Sequence, residues 1–279
     1  MIDLSYLKDW AWETEYLSSI FGFLPEMKAV AVHWKSERLF HRWFPRLRSK
    51  YLLDDLIIPP TVDGATALIL ISDELYRIPR KIPALAVFKQ YVSDQDHSSI
   101  PFPLGLRRGF PDLDPKGIRE RSIDVGFIGR MYPHRRAFLT ALVNHSKLKD
   151  FRLELFGEAR LAISEYAKFL NDTKISLCLA GNSSPETFRY FESTKMGCIV
   201  ISPRMPANGL YERHPGVQLE NANDVEEMAA NLRSILEDPE RQERLQRQSL
   251  VAWRSQYSPP AIASAISRRI QSGASKSRP

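Results

Sequence analysis

Cysteine occurs only twice in the 279 residues, at Cys178 and Cys198. Two are too few for a disulfide framework, and both stand in apolar runs that read as buried strands. Two reduced core thiols are therefore expected rather than a bridge or a metal pair. No C-x-x-C, H-E-x-x-H, P-loop or G-x-G-x-x-G spacing occurs. Without the glycine fingerprint after a first strand, a dinucleotide-dependent dehydrogenase is disfavoured. Long hydrophobic runs are also missing. Stretches such as 67–71 are far too short to cross a bilayer, and the N-terminus carries no apolar leader core, so a cytoplasmic location is expected. No internal repeat of solenoid period is present. Acidic side chains are outnumbered, 33 Asp and Glu against 39 Lys and Arg, which gives a formal charge of +6. That balance suits an anionic partner, and a nucleotide diphosphate, an acidic membrane face and nucleic acid all qualify. The arginines are dispersed and no nucleic-acid motif accompanies them, so nucleic acid ranks last.

What is present alternates between strand-like and helix-like patterns. Asp9–Phe23 reads as a helix with Trp10, Tyr16, Leu17, Ile20 and Phe21 mostly on one side. Strands are expected at 28–33, 66–71 and 84–90, then at 123–128, 151–156, 175–179, 198–201 and 217–219. Helices are expected at 134–144, 160–170, 224–236, 239–257 and 260–270. Strands separated by helices imply parallel sheets with right-handed crossovers. The segment Lys35–Lys50 interleaves six Lys and Arg with Trp34, Phe40, Trp43 and Phe44. It reads either as a solvated helix whose aromatic side packs inward, or as a basic face resting on anionic lipid or an acidic glycan.

The stretch Ser183–Ser202 organises the rest. Ser184 is placed as a helix N-cap, Pro185 at the first helical position and Glu186 in the first turn, where negative charge suits the helix dipole. Gly197 ends the helix, and Cys198–Ile201 follows as an interior strand. Arg189 and Glu192 are three apart and share a face, while Phe188 and Phe191 turn towards a core. Such a unit sets a helix N-terminus and a few polar side chains at the carboxyl edge of a sheet, where open α/β folds bind phosphorylated ligands.

Glu192 followed by Met196-Gly197-Cys198-Ile199-Val200 resembles the nucleotide-sugar-binding helix of GT-B type glycosyltransferases. The common form has a second Glu eight residues earlier, where this chain has Ser184. That departure points to exostosin-like or CgeB-like spore-coat transferases. Three further pieces are similar to exostosin-like enzymes: Ile71-Ser-Asp-Glu, Val87-Phe-Lys-Gln-Tyr91 and Ile100-Pro-Phe-Pro-Leu-Gly105. Gly126-Phe-Ile-Gly-Arg130 with Arg135-Arg136 resembles the first strand–loop–helix of their donor domains.

The resemblance implies an α/β fold of two Rossmann-like domains facing a cleft. The expected divisions are an acceptor-side domain at 1–110, a linker at 111–121, a nucleotide-sugar domain at 122–258, and a C-terminal helix and tail at 259–279. It implies transfer of a sugar from a nucleotide-diphosphate donor to a glycan or glycolipid, inverting and without a metal or other cofactor. The expected donor-binding residues are Gly129, Arg130, Arg136, Ser184, Thr187, Arg189 and Glu192. Glu192 would hold the ribose, and Arg130, with Arg136 or Arg189, the departing diphosphate. Arg135 and Arg136 are adjacent, so at most one of them reaches the cleft. Asp73 or Glu74, at the end of a strand, would take the acceptor proton, with Asp94, Asp96 and His97 in reserve. Asn208, Gly209 and Tyr211 are placed to touch the sugar or base. A binding module without turnover is the alternative.

Overall fold

The computed structural model describes residues 12–24, 29–33, 67–71, 85–157, 161–181, 184–212, 214–221 and 224–276. Trp10, the Lys35–Lys50 stretch and the Asp73-Glu74 pair lie outside the described residues. The chain divides into two compact units. The first comprises Met1–Leu104, Pro206–Leu210 and Pro259–Pro279; the second comprises Gly105–Met205 and Tyr211–Ser258.

The first unit contains helix α1 (Thr14–Gly22) and strands β1 (Ala29–His33), β2 (Ala67–Ile71), β3 (Ala86–Lys89) and β4 (Ile100–Pro101), paired in that order and all parallel. Every residue of β2 is buried, as expected of a strand covered on both faces. Helix α1 buries Tyr16, Leu17, Ile20 and Phe21 at helical spacing. Beyond the carboxyl end of β3 the backbone is unusual: Tyr91 takes φ 55°, a left-handed conformation rare outside glycine. The buried Lys89 ammonium donates to the Gln90 and Tyr91 carbonyls, and the Gln90 amide donates to Glu13, whose carboxyl group burial raises above the ordinary range.

The second unit runs β5 (Ile123–Gly129), α2 (Pro133–Val143), β6 (Leu153–Gly157), α3 (Ile163–Asn171), β7 (Thr173–Leu177), α4 (Phe188–Lys195), β8 (Ile199–Pro203), β9 (Val217–Leu219), α5 (Val225–Leu236) and α6 (Pro239–Ala252). Its strands form one parallel sheet in the order β6-β5-β7-β8-β9. The order reverses between β5 and β7, and in doubly wound sheets ligands bind at such a switch point, outside the carboxyl ends of the strands. Val125, Phe127, Ile175, Leu177, Ile199 and Ile201 from the central strands pack with Leu139, Leu142, Met228 and Leu232 from the helices.

Two boundaries differ from expectation. The division falls at 104/105, and the segment 111–121 is folded into the second unit rather than acting as a linker. Ile118 is buried there, and the Arg121 guanidinium is held by the Lys116, Thr173 and Met196 carbonyls. These anchors are single residues without a period, so hydrophobic patterning does not register them. The expected helix to Tyr257 also breaks early, turning through a π-helical stretch (Trp253–Tyr257) that drives Tyr257 inward. Helix α7 (Pro259–Lys276) then returns to the first unit, packing on α1 and β3.

Candidate anion site in the second unit

Two arginines converge at the switch point. Arg189, on α4, donates through Nε to the Ile128 carbonyl (2.9 Å), and its guanidinium lies 4.5 Å from the centre of the Phe127 ring. Its Nη1 is buried without a hydrogen-bond partner among the described residues. A Cβ on Gly129 would overlap Arg189 Nη2, so a side chain there would push the guanidinium out of its present position. Arg135, on α2, is 5% exposed and reaches the same edge. It donates to the Arg130 carbonyl (2.6 Å) and to the Ala180 carbonyl, and so ties together the loops that leave β5 and β7. Phe127 and Tyr132 lie against it at 5.4 and 5.1 Å. Burial, then the charge of Arg189, lowers the Arg135 pKa to about 10.

Neither cation has a carboxylate partner among the described residues. A buried donor left unpaired costs about 1–3 kcal/mol, and like charges held together add to that. The N-terminus of α4 adds a third feature. Thr187 is its N-cap, in extended conformation, yet the Thr187 hydroxyl makes no cap bond and is buried without a partner among the described residues. A buried guanidinium nitrogen of Arg189 and the Thr187 hydroxyl, both without a partner among the described residues, form a site that an anion would complete.

The helix start differs from expectation for a local reason. Ser184 Oγ accepts the Glu186 N–H (2.9 Å), the bond an N-cap makes, but it closes only a turn, and the helix itself begins at Phe188 behind Thr187. Glu186 in turn accepts the Tyr211 hydroxyl at 2.6 Å. Tyr190, Phe191, Tyr211 and Tyr257 pack edge-to-face at 5.1–5.9 Å and back the helix. Tyr211 is therefore a buried support rather than a sugar contact. Asn208 is likewise engaged, donating to the Val92 carbonyl and accepting from Leu210 N–H.

Glu192 lies one turn along α4 and is fully buried. Its carboxylate accepts from Arg107 Nε (2.7 Å), Nη2 (3.2 Å) and backbone N–H (3.3 Å). Tyr166 lies beneath, 4.6 Å from the Arg107 guanidinium, its phenol pushed well up by burial and by Glu192. The other expected residues disperse. Arg130 is exposed at the strand end, and its carbonyl is engaged by Arg135. Arg136 is exposed on the outer side of α2, in a shallow hollow with Met131, Thr140 and Asn144. The choice of Arg136 over Arg135 is corrected: successive helical residues diverge by about 100°, and Arg135 is the one turned inward. Asp96 serves as a loop cap for Ser98 and Ser99, whose bonds outweigh burial and lower its pKa, which suits it poorly to act as a base. Arg135, Arg107 and Tyr211 carry no sequence signal that marks these roles; the Arg135-Arg136 doublet is the nearest.

The Ser202–His214 contact (2.9 Å) is not a nucleophile–base pair. His214 Nδ1 accepts the Gly216 N–H, so Nε2 carries the proton and donates to Ser202, which donates to the Pro203 carbonyl.

Residues 134–267 match a family model described as glycosyl transferase-like. The match spans just under half of the chain. No curated protein matches. Among solved structures, TarM resembles the chain at TM-score 0.50 and 12% identity, covering 90% of this chain and 57% of its own. A mutant of S. aureus TarM in complex with fondaparinux, α-GlcNAc-glycerol and UDP gives TM-score 0.44 at 11% identity, over 75% of this chain and 56% of its own. Sucrose-phosphate synthase from Thermosynechococcus elongatus gives 0.44 at 14%, over 95% and 73%. The chain thus spans little more than half the length of the TarM structures. At these identities the likeness is one of fold: α/β, with Rossmann-like parallel sheets as in GT-B glycosyltransferases. Among the described residues no helix is long and apolar enough to cross a membrane, and no cluster of His, Cys, Asp and Glu could hold a metal ion.

Proposed function

We propose that the protein is a glycosyltransferase whose second unit binds the diphosphate of a nucleotide-sugar donor. The observation that carries this is the Arg135–Arg189 pair. Two partly buried guanidiniums share the switch point of a parallel sheet with no carboxylate between them among the described residues, beside a helix N-terminus with an unsatisfied threonine hydroxyl. The glycosyl transferase-like match over 134–267 supports the class of reaction.

In this reading Arg189 Nη1 and the Thr187 hydroxyl bind diphosphate oxygens, with the exposed Arg130 closing over them from the end of β5. Arg135 is a positioning residue: it fixes the two loops and adds positive potential. As the acceptor hydroxyl oxygen bonds to the anomeric carbon, the bond from that carbon to the diphosphate oxygen breaks. The negative charge left on the diphosphate meets guanidinium and hydroxyl donors already in place, a stabilisation that needs no metal. The acceptor's proton passes to a carboxylate of the first unit, Asp73 or Glu74. Glu192 reads the ribose. The acceptor is a glycan or glycolipid of surface-polysaccharide assembly, modified with inversion on the cytoplasmic side, with the basic Lys35–Lys50 stretch touching the membrane. The exostosin-like and CgeB-like groups are the nearest subtypes in pattern.

Calorimetry with UDP, GDP, dTDP and CMP, followed by assay of nucleotide release from the matching nucleotide sugars, tests the proposal. One nucleoside diphosphate should bind, its sugar should turn over, and Asp73→Asn or Glu74→Gln should abolish that turnover while leaving donor affinity intact. Binding with no release from any sugar would instead identify a non-catalytic module. No binding at all would end the proposal.

A further inference from the structure

Helix α7 changes character along one face. Ile262, Ala265, Ile266 and Arg269 recur at the i, i+3, i+4, i+7 spacing of a single helical stripe, so an apolar surface runs directly into a cationic one. That stripe forms one side of a groove of about 380 Å³, within the size range of small-molecule sites. The edge strand β4 forms the other, with Ile100 and Pro101 half-buried and Phe88 and Phe102 buried beside them. Both sides belong to the first unit. Arg268 joins Arg269 in the lining, and among the described residues no acidic side chain does. Arg268 donates to Ser264 Oγ (3.0 Å), and the Arg269 guanidinium has no hydrogen bond or ion pair among the described residues. The two arginines stand about two turns before the helix ends at Lys276, too far in to serve its dipole.

We propose that this groove binds a single-chain lipid phosphate, its hydrocarbon chain between β4 and α7 and its phosphate on Arg268 and Arg269. Three properties select that ligand. From Phe88 to Ile266 the lining side chains carry no hydrogen-bonding groups, which suits a hydrocarbon and gives a sugar nothing to pair with. The edge strand is two residues long and one of them is Pro101, which has no N–H, so a peptide adding itself as a further strand finds almost no ladder. Two guanidiniums without an acidic neighbour in the lining match a phosphate monoester, which carries close to two negative charges and accepts bidentate bonds. The formal charge of +6 favours the same class of partner. The site is separate from the donor reading, whose nucleotide-binding residues all belong to the second unit.

Calorimetric titration of the full chain with dodecyl phosphate below its critical micelle concentration tests this, with octyl phosphate, inorganic phosphate and the neutral dodecyl maltoside as comparators. Dodecyl phosphate should bind saturably at one site. Octyl phosphate, four methylenes shorter, should bind about 30-fold or more weakly. Dodecyl maltoside should lose about tenfold or more for want of a charged head, and inorganic phosphate should lose more than either. Replacing both exposed arginines, Arg268→Gln with Arg269→Gln, should remove the preference for the charged head. Ala265→Phe should fill the groove and abolish binding of both dodecyl ligands. Should that protein not fold, the arginine double variant and the chain-length comparison still decide. Absence of saturable dodecyl phosphate binding overturns the proposal. So does equal affinity for any comparator, or binding that survives Ala265→Phe in a folded protein. Sedimentation with vesicles of equal parts phosphatidylcholine and phosphatidylserine, without binding of the monomer, overturns it as well and makes the arginines part of a membrane-facing surface.

Discussion

The two edges of the second unit's sheet each hold buried arginine, and they are built on opposite principles. At the amino-terminal edge, Arg121 precedes β5 and is 3% exposed. It donates to Lys116 O (3.0 and 3.3 Å), Thr173 O (2.7 Å) and Met196 O (2.5 Å), and touches the Cys198 sulfur at 3.5 Å. The guanidinium is filled with backbone acceptors and joins β5, β7 and the end of α4. At the carboxyl edge, Arg189 spends one donor on the Ile128 carbonyl and buries another with no partner among the described residues. Within a single sheet the first arginine gives cohesion, and the second is the one on which the proposed donor site draws. Burial alone does not separate the two roles; the count of satisfied donors does.

Three measurements can break or sharpen that contrast. Arg121→Ala should have the largest effect, lowering unfolding free energy by about 3–5 kcal/mol in urea titrations, because several buried carbonyls lose their donor at once. An Arg121→Ala protein of ordinary stability would dissolve the distinction. Arg189→Gln should do the reverse. Nucleoside-diphosphate affinity should fall by about 10–100-fold in calorimetry, with stability changed by less than about 1 kcal/mol, since a repulsion with Arg135 disappears along with the single carbonyl bond. Arg136→Gln, outward on the same helix as Arg135, is the internal control and should leave affinity within about twofold. The last measurement concerns a satisfied group that titrates. Burial lowers the His214 pKa to about 4 from 6.5, so the fold holds its neutral form. Its contribution is complete above pH 6.5 and is lost as pH falls towards 4, by about 2 kcal/mol between pH 7 and 5. His214→Gln should flatten that part of the stability profile, and an unchanged slope would assign the acid sensitivity to other groups.

Much of this was legible beforehand, for reasons that particular residues make plain. The strands at 67–71 and 123–129 stand out because interior parallel strands are continuous apolar runs. Helix α1 is legible because Tyr16, Leu17, Ile20 and Phe21 repeat at helical spacing. The carboxyl edge can be located from strand–helix alternation, and the resemblance to GT-B transferases points to Gly129, Arg189 and Thr187 there. What stayed hidden depends on single long-range contacts. Arg135 could not be chosen over Arg136 without the helix phase. The start of α4 moved to Phe188 because a hydroxyl and a tyrosine far along the chain, Tyr211, captured the preceding turn. The pairing of Glu192 with Arg107 joins residues 85 apart in a segment that reads as featureless loop.

The first unit has a consequence for how the chain is made. Its parallel strands are in place by residue 101, yet the unit also draws on 206–210 and on 259–279, which include helix α7. A ribosome therefore delivers every part of the second unit, through residue 258, before the helix that covers α1 and β3 has emerged. The earlier-synthesised unit is the later one to finish, and during that interval its apolar surface, Ile20, Phe88 and their neighbours, stands without its closing helix. A chain halted near residue 258 should be captured by chaperones through its first hundred residues, and one released intact should resist.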